Sequence, residues 1–175
     1  MSGFAARYYQ YDGTTSEEPT EVPLYPTITI GKKTVQMEVT HLADISSTPV
    51  NKDSFACWFC LHDDDDTNYW FISYNEMGTG LLTAIAIAIA RDGIHKECAK
   101  TTEAVKVSVA NVPLLNATHG NLVKLFGNKE IAKKKAMLFY HETPVQDGFI
   151  QSNTVSYYFD GEKVRGVIIG QITSN

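Results

Sequence analysis

The sequence has few cysteines, no long apolar run and no short catalytic motif. Its three cysteines among 175 residues are an odd number, and two of them lie together in Cys57-Trp58-Phe59-Cys60. Such a set does not form a disulfide framework. The start of the chain also lacks the charged, apolar and small-residue regions of an export signal. We therefore expect a reducing, intracellular compartment.

Membrane-spanning segments are also missing from the sequence. The longest apolar run covers residues 81–90, which is about half of the ~20 residues that a helix needs to cross a bilayer. The start Met1-Ser2-Gly3 lacks the glycine directly after methionine that myristoylation requires. Any membrane contact is therefore expected to be peripheral.

Positive charge is scarce in total but concentrated locally. Fifteen basic against twenty acidic residues give a net charge of −5, which argues against sequence-specific nucleic-acid binding. Residues 53–76 contain six acidic residues and no Lys or Arg, whereas residues 91–135 contain nine basic residues and four acidic ones. One lysine cluster is predicted to contact an anionic membrane surface or nucleic-acid phosphate, the alternative being a solvated helical face. Its members are Lys124, Lys129, Lys133, Lys134 and Lys135.

Two groups of residues are candidates for metal binding. Cys57, Cys60, His95 and Cys98 form a Cys3His set of the type that holds zinc. Residues three apart in a strand point to opposite faces, so we interpret these cysteines as small buried hydrophobic residues. The acidic run 63–66 lacks the alternating ligand spacing of a calcium loop and is interpreted as a solvated turn. We expect no metal and no cofactor.

No catalytic motif is present in the sequence. The five histidines are scattered, and none forms the HExxH spacing that places two ligands on one helical face. Nucleophile elbows, phosphate loops and dinucleotide fingerprints are missing as well. The sequence therefore predicts a protein that is not an enzyme.

Residues 1–26 are predicted to form a flexible arm ahead of one globular domain over 27–175. The arm is rich in Thr, Glu, Pro and Tyr and has neither helical nor alternating periodicity. Its aromatic content indicates that it docks on a partner or a sister subunit, or packs on its own domain. The residues predicted to carry self-association are Tyr8, Tyr9, Tyr11, Leu24, Tyr25 and Pro26.

The globular part is predicted to be α+β, an antiparallel sheet with two to three helices packed on one side. Alternating apolar residues and turn signals predict hairpins over 27–39, 55–74 and 154–172 and a strand over 105–109. The first hairpin is predicted to face inward through Ile28, Ile30, Val35, Met37 and Val39.

Helices are predicted at three places in the sequence. Residues 79–92 alternate like a strand but are rich in alanine and leucine, which favours a helix capped by Thr79 and closed at Asp92-Gly93. Mixed three and four spacing of apolar residues predicts two further helices over 121–126 and 129–140, or one helix broken at Gly127-Asn128.

The carboxyl-terminal half resembles rhabdovirus matrix proteins. The likeness rests on the Val-rich segment 105–109, a helix containing Leu122 and Phe126, then Lys135-Ala136-Met137-Leu138-Phe139 and a final hairpin. It spans roughly residues 69–167, and the chain is about as long as the short matrix proteins of plant-infecting members.

The resemblance implies a structural protein of the virion. Such a protein associates with itself through its arm and bridges the nucleocapsid to the inner membrane leaflet during assembly and budding. Tyr25-Pro26-Thr27-Ile28 is similar to the Tyr-Pro peptides that recruit a host budding factor. The family commonly has a lysine-rich amino terminus, whereas this arm is acidic, so the lysine cluster is the expected electrostatic contact.

The predicted location is the virion interior and the host cytoplasm, peripheral to the membrane, with nuclear entry left open. Two alternatives to a matrix protein remain at this point. One is a monomeric viral or microbial module that binds a host protein, and the other is a Cys3His zinc protein. Assembly that depends on concentration separates the first from a matrix protein, and metal content separates the second.

Overall fold

The structure, a computed structural model, describes residues 13–77, 80–89, 98–127 and 134–175. The described residues are mostly antiparallel β-sheet, with 52% of them in strands and 12% helical. Within the described ranges the α-helices are α1 (Leu42–Ile45) and α2 (His119–Phe126), and single 3-10 turns cover Asn75–Met77 and Gln146–Gly148. The predicted α+β class with two to three packed helices is therefore wrong.

Twelve strands are seen in the described part of the chain. In chain order they are β1 (Gly13–Thr15), β2 (Pro26–Ile30), β3 (Lys33–Val35), β4 (Asn51–Lys52), β5 (Ala56–His62), β6 (Thr67–Tyr74), β7 (Ala84–Ile89), β8 (Ala99–Lys100), β9 (Val105–Val109), β10 (Ala136–Pro144), β11 (Ile150–Asp160) and β12 (Lys163–Ser174).

These strands form a large sheet and a small sheet. The large sheet has the order β1-β10-β11-β12-β7-β6-β5-β4, and β8 pairs with β5 beside this path. Its pairs are antiparallel except β1 with β10 and β5 with β8. The small sheet has the order β3-β2-β9, so β2 is paired on both sides.

The main core lies between one face of the large sheet, the small sheet and α2. Alternate residues of the large sheet, such as Phe71 and Tyr157, join Ile28 of the small sheet and Leu122 of α2 in one buried cluster. The intervening residues, such as Trp70, belong to a second cluster on the opposite face. The side-chain period of two along each strand therefore divides the apolar residues between two layers.

The predicted hairpins are confirmed. β2 pairs with β3, β5 with β6 and β11 with β12, each antiparallel, and β9 forms over residues 105–109 as expected. The first hairpin buries four of its five predicted inward residues. Val39 is the exception, because it follows Glu38 in a turn beyond β3 and is 64% exposed.

The helix predicted over 79–92 is wrong for the residues that the structure describes. β7 pairs with β6 on one side and β12 on the other, so it is a central strand. Both of its faces are buried, and pairing with two neighbours outweighs the helix propensity of its alanines. Thr79 and Asp92-Gly93, the predicted caps, lie outside the described residues.

The helix predicted over 129–140 is also wrong where it can be judged. Residues from Ala136 onward form β10, which pairs with β11 along nine positions. The preceding helix is confirmed as α2, which starts at a Thr118 capping box with Asn121 and stops at Gly127 with a φ of 70°. The matrix-protein likeness includes the predicted helix end from Lys135 to Phe139, of which Ala136 to Phe139 instead begin the strand β10.

Tyr157, which is buried, and Tyr158, which is partly buried, predict a loss of stability at alkaline pH. Burial raises the pKa of Tyr158 to about 12 and that of Tyr157 further still, whereas an unfolded tyrosine ionises near 10. The unfolded state therefore loses these protons first, and stability that is complete below pH ~10 should be lost as the pH rises towards the folded pKa. Urea unfolding across this pH range should show that the free energy of unfolding declines. Tyr158→Phe should make this decline smaller. Tyrosinate absorbance titrating entirely near pH 10 in the folded protein would contradict it.

Candidate functional site

The cysteines that the structure describes do not form the candidate Cys3His zinc set. Cys60 and Cys98 are joined by a disulfide between β5 and the start of β8, where Leu61 is the partner of Ala99. Cys57 lies on the other face of β5 as a free thiol. The interpretation of Cys60 and Cys98 as unpaired residues is therefore wrong, because the parallel pairing with β8 brings their sulfurs together. His95 lies outside the described residues.

The acidic run at the β5–β6 turn is held by its own neighbours. Asp63 accepts hydrogen bonds from the backbone of Asp65 and Thr67 and from the Tyr69 hydroxyl. The Lys100 ammonium lies 2.9 Å from Asp64 and holds the pKa of that carboxyl below its usual value. In the described ranges, no cluster of three His, Cys, Asp or Glu side chains suited to a metal ion occurs.

The described part of the predicted arm lies along β10 of its own chain. The backbone N–H of Ser16 donates to Leu138 O at 2.9 Å, and that of Thr20 donates to Tyr140 O at 2.7 Å. These bonds continue the parallel pairing of β1 with β10. The edge of the large sheet is therefore covered by the arm, which corresponds to the own-domain alternative for residues 13–25.

The predicted self-association residues fall in different environments. Leu24 is completely buried in the main core and is not available to a partner in this state. Tyr25 is partly exposed, and its hydroxyl lies 2.7 Å from that of Thr143. Pro26 opens β2. Tyr8, Tyr9 and Tyr11 lie outside the described residues.

The Tyr-Pro peptide proposed for a host factor is built into the small sheet. Pro26 pairs with Val109, and Ile28 pairs with both Val35 and Val107. Ile28 is buried in the main core. A host factor that reads this peptide in an extended form has to separate β2 from both neighbouring strands first.

Only part of the lysine cluster can be placed. Lys124 is exposed near the end of α2, Lys134 is half-buried, and Lys135 is exposed directly before β10. The last two do not lie on a helix, since β10 replaces the predicted helix. Lys129 and Lys133 lie outside the described residues.

A groove of about 910 Å³ lies between the arm, the end of α2 and the start of β10. We call it the arm groove. Apolar side chains from three segments line it, namely Val22, Leu125, Phe126, Met137 and Phe139. The rings of Phe126 and Phe139 stack at 3.9 Å between centroids, which fixes the packing of α2 on β10.

The charged lining of the arm groove has two signs. The arm contributes Glu17, Glu18 and Glu21, and the other side contributes Lys124 and Lys134. The groove therefore joins an apolar surface to both acidic and basic groups, which suits an extended peptide better than a small neutral ligand. The acidic arm and the lysine cluster are both visible in the sequence. Their proximity is not, because it depends on the pairing of the arm with the edge of β10.

A second polar contact, which the sequence did not reveal, secures the turn after β3. Glu38 has a φ of 60° and accepts hydrogen bonds from Gln171 Nε2, Thr173 N and Thr173 Oγ1. These three bonds tie the turn to the end of β12. The arrangement satisfies the carboxylate and is structural rather than chemically reactive.

In the described residues, no helix has the length and apolar character needed to span a bilayer. No protein-family model matches the chain, and comparison with characterised proteins and with solved structures finds no match either.

Proposed function

We propose that this chain is a non-enzymatic structural protein that assembles with copies of itself by exchanging its amino-terminal arm. The observation that supports this proposal is the placement of residues 13–20 on the edge of β10. An edge strand offers unpaired backbone groups to any extended segment, whether it belongs to the same chain or to another copy.

The chemistry of the arm suits an exchanged segment. Pro19, Pro23 and Pro26 restrict the backbone to extended conformations, so the arm loses little conformational entropy when it docks. Its contacts to β10 include the backbone hydrogen bonds of Ser16 and Thr20, which any copy of the same segment can form. Exchange of an identical element is a low-cost way to join subunits.

Binding to a membrane and to a nucleocapsid, as a matrix protein would show, is a further proposal beyond self-association. Lys124, Lys134 and Lys135 support an anionic partner, since each lysine near an anionic surface contributes roughly 1 kcal/mol. The strand that replaces the predicted helix end removes one element of the matrix-protein likeness. Self-association is therefore the part of the proposal to test first.

Arm exchange can be tested with two proteins that each carry one free cysteine besides the Cys60–Cys98 disulfide. In a Cys57→Ser background, one protein carries Thr15→Cys and the other Leu138→Cys, because these positions are directly paired between β1 and β10. After mixing and mild oxidation, exchange should give a disulfide-linked heterodimer. Non-reducing electrophoresis and mass spectrometry identify the linked species and the crosslinked peptides.

A matched control separates exchange from random oxidation. Thr15→Cys mixed with Lys106→Cys, on an exposed position of β9, should give little heterodimer. A protein that carries both Thr15→Cys and Leu138→Cys should form the disulfide within one chain when it is monomeric. Equal heterodimer yields in the test and control mixtures, at concentrations where the protein forms oligomers, would refute arm exchange.

A further inference from the structure

β8 is held at the edge of the large sheet by few backbone contacts. It pairs with β5 at two positions, Leu61 with Ala99 and His62 with Lys100, and the pairing is parallel. Just beyond it, Thr101 N donates to His62 O at 2.9 Å. Two residues make a short strand, and parallel pairing is slightly weaker per residue than antiparallel pairing. In the described ranges, backbone pairing alone therefore holds β8 only loosely.

The ion pair beside β8 adds little to this attachment. Lys100 Nζ lies 2.9 Å from a carboxylate oxygen of Asp64, but the two side chains are 68% and 75% exposed. Water and salt screen such a pair, and ordering two exposed side chains costs conformational entropy. Cys98 directly precedes Ala99, and its disulfide to Cys60 connects β8 covalently to β5. Among the contacts that the structure describes, the disulfide is therefore the main restraint on the position of β8.

The two sulfurs of this disulfide differ in exposure. Cys60 is 1% exposed and lies in the second cluster, opposite Trp70 of β6. Cys98 is only half-buried. Thiol–disulfide exchange begins when a thiolate attacks one of the two sulfurs, so access decides which sulfur is attacked. The free thiol of Cys57 lies on the other face of β5 and cannot take part. Attack from solution is therefore directed at Cys98.

We propose that the Cys60–Cys98 disulfide is a redox-controlled latch that keeps β8 on the edge of β5. A dithiol reductant opens the latch in two steps. One thiolate of the reductant attacks Cys98 Sγ, the bond between the two cysteines breaks, and Cys60 leaves as a thiolate that takes up a proton. The second thiolate then attacks the reductant sulfur bound to Cys98, which leaves and is protonated in the same way. The reductant is oxidised to a disulfide, and the two cysteines are reduced to thiols.

Reduction releases β8 but leaves β5 in place. β5 keeps its antiparallel pairing with β6, and the buried, protonated Cys60 thiol packs as a small apolar side chain. The backbone of Leu61 and His62 loses the partners that β8 supplies, and Asp64 loses the Lys100 ammonium. An uncovered edge of this kind can pair with another extended segment. The redox state of the compartment therefore decides whether this end of β5 is covered, and this conclusion does not depend on arm exchange.

Hydrogen–deuterium exchange of the whole chain, measured by mass spectrometry without and with dithiothreitol, tests the latch. Peptides that contain residues 60–62 and 98–101 should exchange at least about tenfold faster after reduction, because β8 then opens without global unfolding. β11 is the internal control, since it is paired on both sides and should stay protected at labelling times of seconds. Equal acceleration of β8 and β11 would overturn the latch, because the disulfide would then only stabilise the fold as a whole. Unchanged exchange at β8 would overturn it as well.

Alkylation with iodoacetamide tests the direction of opening. In Cys57→Ser, which keeps only the two latch cysteines, neither should react before reduction. After reduction, Cys98 should react at least about tenfold faster than the buried Cys60. Cys98→Ser should show the rapid exchange of a released β8 without reductant and no further change with it, and the reduced wild type reports the same state without a substitution. Reaction of both cysteines before reduction, or faster reaction of Cys60 after it, would contradict the latch, whereas the arm-exchange crosslinks are decided separately.

Discussion

Replacing Cys98 with serine is expected to lower the free energy of unfolding by about 4 kcal/mol. The Cys60–Cys98 disulfide closes a loop with a sequence separation of 38, and restricting such a loop in the unfolded chain gives a stabilisation of this order. It also fastens β8 to β5, a pairing of only two residues. Cys57→Ser, at the free thiol, is the matched control and should change stability little.

Urea unfolding with and without reductant measures this effect. Reductant should destabilise the wild type and Cys57→Ser to the level of Cys98→Ser and leave Cys98→Ser itself unchanged. Equal midpoints for all three proteins without reductant would show that the disulfide does not form. In the reducing compartment that the sequence suggests, the protein would lack this stabilisation.

Phe71→Ala is expected to destabilise the protein by about 3–5 kcal/mol, which is the usual range for a fully buried phenylalanine. Phe71 lies in β6, a central strand of the large sheet, and its ring stacks on that of Phe59 at 4.9 Å between centroids. Neither side chain is exposed, so alanine leaves a cavity between the sheets.

Phe55→Ala provides the comparison at the same residue type, because Phe55 is 77% exposed. Its unfolding free energy should stay within about 0.5 kcal/mol of the wild type. Thermal and urea unfolding of both variants give the two differences. A loss below about 1 kcal/mol for Phe71→Ala would contradict the placement of β6 in the core.

The hairpins were predictable from the sequence because each depends on neighbouring residues. Alternation and a turn signal specify β2 with β3 and β11 with β12 without knowledge of the rest of the chain. β7 was not predictable in this way. Alanine alternates with isoleucine in this segment, a pattern that fits either a helix or a strand. Pairing with β6 and β12 is what favours the strand.

The candidate site was predictable in its parts but not in their arrangement. The lysines and the acidic arm are visible in the composition. Their meeting in the arm groove depends on the parallel pairing of Gly13 with Ala136, which joins residues far apart in the chain. No local pattern specifies such a register. The Cys60–Cys98 disulfide was missed for the same reason, since it follows from the pairing of β5 with β8.

The cover that the arm gives to β10 has a consequence for the solubility of assemblies. An open sheet edge invites uncontrolled pairing that leads to amyloid-like aggregates. If copies exchange arms, each edge that loses its own segment receives the identical segment of a neighbour. A closed exchange, such as a reciprocal pair, therefore keeps every edge capped, and an open chain leaves one bare edge at one end, however long the chain grows.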